Sequence, residues 1–497
     1  MNLEPFRPAF HFTPPTAWLN DPNGMVYYDG EYHLFYQYHP NDTVWGPMHW
    51  GHAVSTDLVN WQHLPIALEP DELGIIFSGS AVIDWHNTAG FGSEAMIAIY
   101  TYHSSDARQS QAIAYSLDKG RTWIKYADNP VIPTPPNIRD FRDPKVLWYS
   151  DGHGKGHWVM ALAANSAIMF YTSPNLIAWQ AAGSFGFGQG ATDGVWETPD
   201  LFKLPIAGTA ESRWVLTVGI GDNAPAGGSG MQYFIGQFNG HTFINDNPRT
   251  TVLWADYGAD FYAAQSWSNA PDDRRIWLAW LNNWPYANQI PTSTWRGTMT
   301  IPRELRLVQT KEGLRLGQTA VPELAQLRQN AQRWQNIVIV PGLAFVPRVY
   351  GDQLEIIAEL EISTEASNLG LRLRVGDGEA TVVGYAPRSG TLFVDRTKSG
   401  QSSFSDQFAR IHTAAVEPAD GILMLHIFVD RSSIELFANE GLITFSEQIF
   451  PGEASVGVEL FAEGTAVTVR HLEIYQLRAA QFRPWPANAA SEGPPHA

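Results

Sequence analysis

Three acidic residues of this chain sit in surroundings that repeat. Asp21 lies in Trp18-Leu19-Asn20-Asp21-Pro22-Asn23-Gly24, Asp143 in Arg142-Asp143-Pro144 and Glu197 in Trp196-Glu197-Thr198-Pro199-Asp200. Phe77-Ser78-Gly79 and Asp260-Phe261-Tyr262 continue the series, and positions 21, 78, 143, 197 and 260 follow one another at 57, 65, 54 and 63 residues. A second series keeps the same period: segments 55–61, 116–123 and 173–179 end in Trp61, Trp123 and Trp179, spaced 62 and 56 residues apart. Equivalent positions of a radial repeat face one central axis, so carboxylates distant in sequence meet in space. A pair of carboxyl groups at a pocket mouth is what glycoside hydrolysis needs, one attacking or activating water and one protonating the departing oxygen.

Context selects among the 50 acidic residues. Asn20-Asp21-Pro22-Asn23-Gly24 reads as a turn on composition alone, and the recurrence at blade period shifts it toward function. Asp140 and Asp143 differ by an odd number, so in an extended strand they point to opposite faces and only one meets the pocket. Asp143, followed by Pro144, fits the end of an inner strand, with Arg142 free to anchor a hydroxyl or a neighbouring carboxylate; Asp140 is expected in a surface ion pair. The same parity prefers Glu197 to Asp200. Trp196 beside Glu197 would exclude water, as suits a general acid, and Asp200 would support the site or bind backbone.

Other chemistries find little support. The chain has no cysteine, so disulfides and thiolate sites are excluded. Its 15 histidines form no HExxH-like cluster, and no metal or other cofactor is expected. Gly227-Gly228-Ser229-Gly230 lacks the lysine of a phosphate loop, and no GxSxG element is present. A formal net charge of −18 argues against nucleic acid and anionic membrane as partners. The longest apolar run, residues 337–346, is broken by Pro341-Gly342 and falls short of the ~20 residues that span a bilayer. The start shows no basic segment followed by an apolar run, so the expectation is a soluble protein, either cytoplasmic or secreted with its leader removed.

The elements that must hold these residues are strands. Residues 24–28, the Asp29-Gly30 turn and residues 32–38 read as a hairpin. Roughly 300 residues at a period near 60 make five four-stranded blades. The expected organisation is a five-bladed β-propeller over residues 1–318, a linker helix over 319–336, a β-sandwich over 337–480 and a tail over 481–497. The helix rests on Pro322 and the spacing of Leu324, Leu327, Ala331 and Trp334. Beyond it, six strand-like segments between residues 353 and 477 follow without helical interruption, as suits two packed sheets. The Pro- and Ala-rich tail reads as an extended strap or a disordered end.

Taken together, the motifs resemble glycoside hydrolase family thirty-two, the β-fructosidases that include invertases, levanases and inulinases. Trp18 to Gly24, Phe35-Tyr36-Gln37, Phe77-Ser78-Gly79-Ser80, Phe141-Arg142-Asp143-Pro144 and Trp196 to Asp200 occur in that family's order. Residues 430–437, Asp-Arg-Ser-Ser-Ile-Glu-Leu-Phe, are similar to the signature strand of its C-terminal sandwich. The resemblance implies a propeller with a funnel-shaped axial site. It implies Asp21 as nucleophile, Glu197 as acid/base and Asp143 as transition-state stabiliser, with Asn20, Gln37, Trp45, Phe77, Ser78, Arg142 and Trp280 holding a terminal fructosyl unit. Trp284 and Trp295 rival Trp280. Thr198 stands where the family usually has Cys, which alters hydrogen bonding beside Glu197 without removing a catalytic group.

The reaction so implied is double displacement with retention, with the two carboxyl groups roughly 5 to 5.5 Å apart. Segments 50–61 and 186–196 look more like the levanase and exo-inulinase branch, so the expected substrates are fructans, with sucrose also cleaved. A sucrose-preferring invertase and a transfructosylase are the neighbouring alternatives, and a non-catalytic fructan-binding protein is the alternative of another class. These residues are compatible with either fructan linkage and with a homo-oligomer.

Overall fold

The computed structural model describes residues 4–152 and 155–485, so the tail from residue 486 lies outside the described residues. Seven sheets are present among these residues, five built before residue 321 and two after it. Each of the first five is built on an antiparallel meander whose first strand is Ala17–Tyr28, Ile75–Asp84, Phe141–Ser150, Trp196–Pro205 or Tyr262–Ser266, and short parallel pairings at Trp295-Arg296 and Phe482-Arg483 extend the first of them. Each first strand packs against the next, and the fifth packs against the first. This closed cyclic order is consistent with a propeller, and the two later sheets with a sandwich.

Local sequence explains the meanders. Asp29 (φ 49°) and Gly30 (φ 87°) take the left-handed conformations of a tight hairpin turn between Ala17–Tyr28 and Glu31–His39. The second repeat series is a turn motif. Asp57 Oδ1 accepts from the backbone N–H of Val59 and Asn60 at 3.0 and 2.8 Å, and Asn175 Oδ1 does the same for Ile177 and Ala178. The indole N–H of Trp61, Trp123 and Trp179 donates to the carbonyl three residues earlier at 3.2, 3.1 and 2.8 Å. Each tryptophan thus fastens a turn and covers the adjacent core.

The expected linker helix is absent. Pro322–Leu327 forms one 3-10 turn that buries Leu324 and Leu327, and the chain then runs straight into the strand Arg328–Ile339. That strand pairs antiparallel with Val467–Leu477, so its backbone groups are satisfied by the sheet rather than by a helix. Two leucines three apart fit a single 3-10 turn as well as an α-helix; Ala331 and Trp334 belong to the strand.

The later sheets have six and five strands. Their inward residues, among them Ile356, Leu371, Val383, Ile427, Leu460 and Ile474, form one core. The segment from Asp430 to Glu435 fastens this part to the first. Asp430 accepts from the N–H of Ala9 and Phe10 at 2.8 and 3.0 Å, and His11 bridges Asp430 and Glu435 at 2.7 and 2.9 Å. Buried Arg303 reaches Glu435 through Nε at 3.1 Å and Asp256 through Nη1 at 3.1 Å. Asp260, phase-equivalent to the site residues, is held by Arg396 and the Tyr286 hydroxyl at 2.5 Å each, so it fastens the two parts together and stays out of the chemistry. Phe482-Arg483 returns to pair parallel with Trp61-Gln62.

Candidate active site

The first strands converge on a pocket of about 240 Å³ lined by Asn20, Asp21, Gln37, Trp45, Phe77, Ser78, Gln109, Asp140, Arg142, Asp143, Glu197 and Trp284. Every inner strand carries a register shift at its site residue: Leu19/Pro22, Ile76/Gly79, Arg142/Lys145, Glu197/Asp200 and Tyr262/Gln265. Asp143, Thr198 and Ala263 have φ of 64°, 45° and 54°. A β-bulge re-aims a side chain that regular pleating would send elsewhere, and one lies at the site residue of every inner strand.

Asp21 is buried and closely held. Ser78 Oγ donates to its Oδ2 at 2.7 Å and Asn20 Nδ2 to its Oδ1 at 3.0 Å, while Trp18 Nε1 fixes Asn20 Oδ1 at 2.8 Å. Burial pushes the Asp21 carboxyl up to about 6, with the Glu197 charge adding and the Ser78 and Asn20 donors opposing. Asp143 accepts from the Thr198 N–H at 2.9 Å. Burial raises it to about 7; Arg142 opposes, and Glu197 and Asp21 add to the rise. Glu197 receives Arg142 Nη2 at 2.9 Å on one oxygen and the Tyr262 hydroxyl on the other. Gln37 Nε2 is buried without a partner among the described residues, in a side chain that lines the pocket. A ligand hydroxyl there would satisfy it.

Three expectations change. Trp280 does not line the pocket: it is fully buried behind Trp284, with ring centroids 4.8 Å apart, and Trp284 presents its indole instead. Asp140 does line the pocket, bonded to Arg142 Nη1 at 2.6 Å. It precedes the strand Phe141–Ser150, so strand alternation does not govern it. Trp196 packs into the core beside Phe234, 5.7 Å away, leaving Arg142 and Tyr262 as the groups that touch Glu197. Asp200 accepts from the Ser266 N–H at 2.7 Å and pairs with Lys145 at 3.1 Å, a supporting role as read.

Sequence reasoning missed Tyr262 and Gln109. Tyr262 lies in the fifth repeated motif, where Asp260 drew attention as the acidic member. Gln109 Oε1 accepts from the Phe141 N–H at 2.7 Å and Arg142 Nη1 at 3.2 Å, seating the arginine, and no local pattern marks it.

Residues 11–319 match the glycosyl hydrolases family 32 N-terminal domain, and residues 323–476 the family 32 C-terminal domain. The chain belongs to glycosyl hydrolases family 32. Within this family it is 52% identical to a levanase of Bacillus subtilis over 96% of this chain and 71% of that one. It is 41% identical to a levanase of a Bacillus species over 96% of this chain and 52% of the relative, so it spans about half of that protein's length. An exo-inulinase structure from Aspergillus awamori superposes with a TM-score of 0.89 at 35% identity, covering 96% of this chain and 99% of that one. Membership makes the chain a glycoside hydrolase.

Proposed function

We propose that the protein is a retaining, exo-acting β-fructofuranosidase that removes terminal fructose from fructans and also cleaves sucrose. The observation that carries this reading is the pocket in which Asp21, Asp143 and Glu197 gather against Arg142. The same reading takes the five cyclically packed sheets as five blades of one propeller, with the pocket on its axis.

Asp21 is the nucleophile: Ser78 and Asn20 hold both of its oxygens, so little reorganisation precedes attack on the anomeric carbon. Glu197 protonates the leaving oxygen and later takes a proton from water; Arg142 and Tyr262, one on each of its oxygens, hold the carboxyl in place for both steps. Asp143 holds ring hydroxyls most strongly as the oxocarbenium-like state forms. Asn20, Gln37, Trp45, Phe77, Ser78, Arg142 and Trp284 seat the fructosyl unit, with the hydroxyl-satisfying donor supplied by Gln37. The levanase and exo-inulinase likenesses favour fructan over sucrose as preferred substrate.

Asp21→Asn and Glu197→Gln are expected to lose at least about 10³-fold in kcat on sucrose and inulin. Near-normal turnover by either folded variant contradicts the roles. Side-by-side rates on levan, inulin and sucrose, with chromatography of products, test the exo mode, which short oligosaccharides among the first products would contradict.

A further inference from the structure

The inner strands have a second end. Asp21, Ser78, Asp143 and Glu197 occupy the early part of their strands, whereas Val82-Ile83, residues 145–148 and residues 201–203, further along those strands, line a different cavity of about 370 Å³. A buried layer separates the two. Lys145 Nζ donates to Ser266 O at 2.9 Å and Gln265 Oε1 at 3.3 Å and pairs with Asp200 at 3.1 Å, tying three inner strands together beneath the active site.

The far cavity has its own chemistry. Trp85 and Trp148 lie on its wall at 49% and 40% exposure, unusually open for indoles, and Trp148 is backed edge-to-face by Trp158 with centroids 5.1 Å apart. Lys203 and Arg275 add cationic N–H donors; Arg275 Nη1 is anchored to Ser266 Oγ and Trp267 O at 3.3 and 3.2 Å. No Asp or Glu is among the described lining residues, in a chain with a formal charge of −18. Flat indole faces with donors and no carboxylate suit a ring that is apolar on its C–H face and rich in oxygen acceptors at its edge.

We propose that this cavity is a second, non-catalytic carbohydrate site that holds fructosyl units of the polymer at the mouth opposite the active site. The proposal rests on the fructan reading of the active site. A chain held there keeps substrate at the enzyme between cleavages, so its contribution appears with polymers and vanishes with sucrose.

The test is retardation of the full chain in native gels containing levan or inulin. Asp21→Asn prevents consumption of the polymer, and free fructose occupies the catalytic pocket. Trp85→Ala/Trp148→Ala is expected to raise the apparent dissociation constant at least fivefold, and Lys203→Glu, at an exposed position, at least threefold. With Asp21 intact, the same substitutions should leave kcat/KM on sucrose within twofold while raising KM on polymer. Retardation equal to the parent in both variants, or no retardation of the parent with fructose present, overturns the second site. Failure of the wild type to cleave either sucrose or fructan overturns the active-site reading instead.

Discussion

Asp21 and Asp143 show what the pocket costs the fold. Both carboxyls have an ordinary value of 3.8 and are raised by burial to about 6 and about 7. Between 3.8 and those values the native state holds protons that the unfolded chain releases, so stability falls as pH rises through that window. Asp21→Asn and Asp143→Asn should therefore gain on the order of 1–3 kcal/mol at pH 8 while losing activity, as thermal or urea unfolding would show. Both carboxyls act as anions, so kcat/KM should rise with pH through the window from about 6 to about 7; a flat profile between pH 4 and 9 would refute this. Tyr262→Phe is expected to lower kcat about 10- to 100-fold with KM little changed, because it removes only a contact to Glu197. Trp284→Ala should raise KM, whereas Trp280→Phe should lower stability and spare KM. Asp21, Asp143 and Glu197 were legible because turn and repeat chemistry mark them in one short stretch each. Gln109 and the pocket place of Asp140 were not, and Trp284 stood only as one of three rival tryptophans, since such roles come from loops and neighbouring strands that sequence spacing does not order.

At the scale of elements, the bulges explain why parity was an incomplete guide. It preferred Glu197 to Asp200, yet register shifts at 142/145 and 197/200 break the alternation on which it relies. The strands themselves were legible: the segment Ser433–Ala438 and its neighbours read directly from β-branched and aromatic runs. The 3-10 turn and strand at Pro322–Ile339 were misread because pairing with Val467–Leu477 is a long-range property that no local window contains. The Lys145 to Asp200 pair is the element-scale fastening of the inner strands beneath the pocket. Burial holds the Lys145 ammonium below its ordinary pKa against the pull of Asp200. Lys145→Met should destabilise by about 3–5 kcal/mol by stranding Asp200, and adding Asp200→Leu should recover part of that loss. Equal stability of Lys145→Met and wild type in urea would contradict this role.

Across the whole molecule, the two parts are joined by buried charge rather than by a hinge. Burial alone would lower the His11 pKa, but Asp430 and Glu435 reverse this and raise it from 6.5 to about 9. A raised cationic pKa gives stability that is full below pH 6.5 and is lost as pH climbs to about 9. His11→Gln should therefore abolish most of a wild-type decline of up to about 3 kcal/mol over that range, read as Tm against pH. Arg303, Arg396, Asp256 and Asp260 extend the same network, so both parts should unfold in one transition. This interface was foreshadowed only by the motif at residues 430–437, whose partners His11 and Arg303 lie 419 or more and 132 residues away. With Asp21 and Glu197 in the proposed roles, release of fructose is retaining and exo-acting. Following the first turnovers on inulin or levan by NMR tests it most directly. The expected first product is free β-fructofuranose, mutarotating afterwards; initial α-anomer, or oligosaccharides ahead of fructose, would contradict these roles.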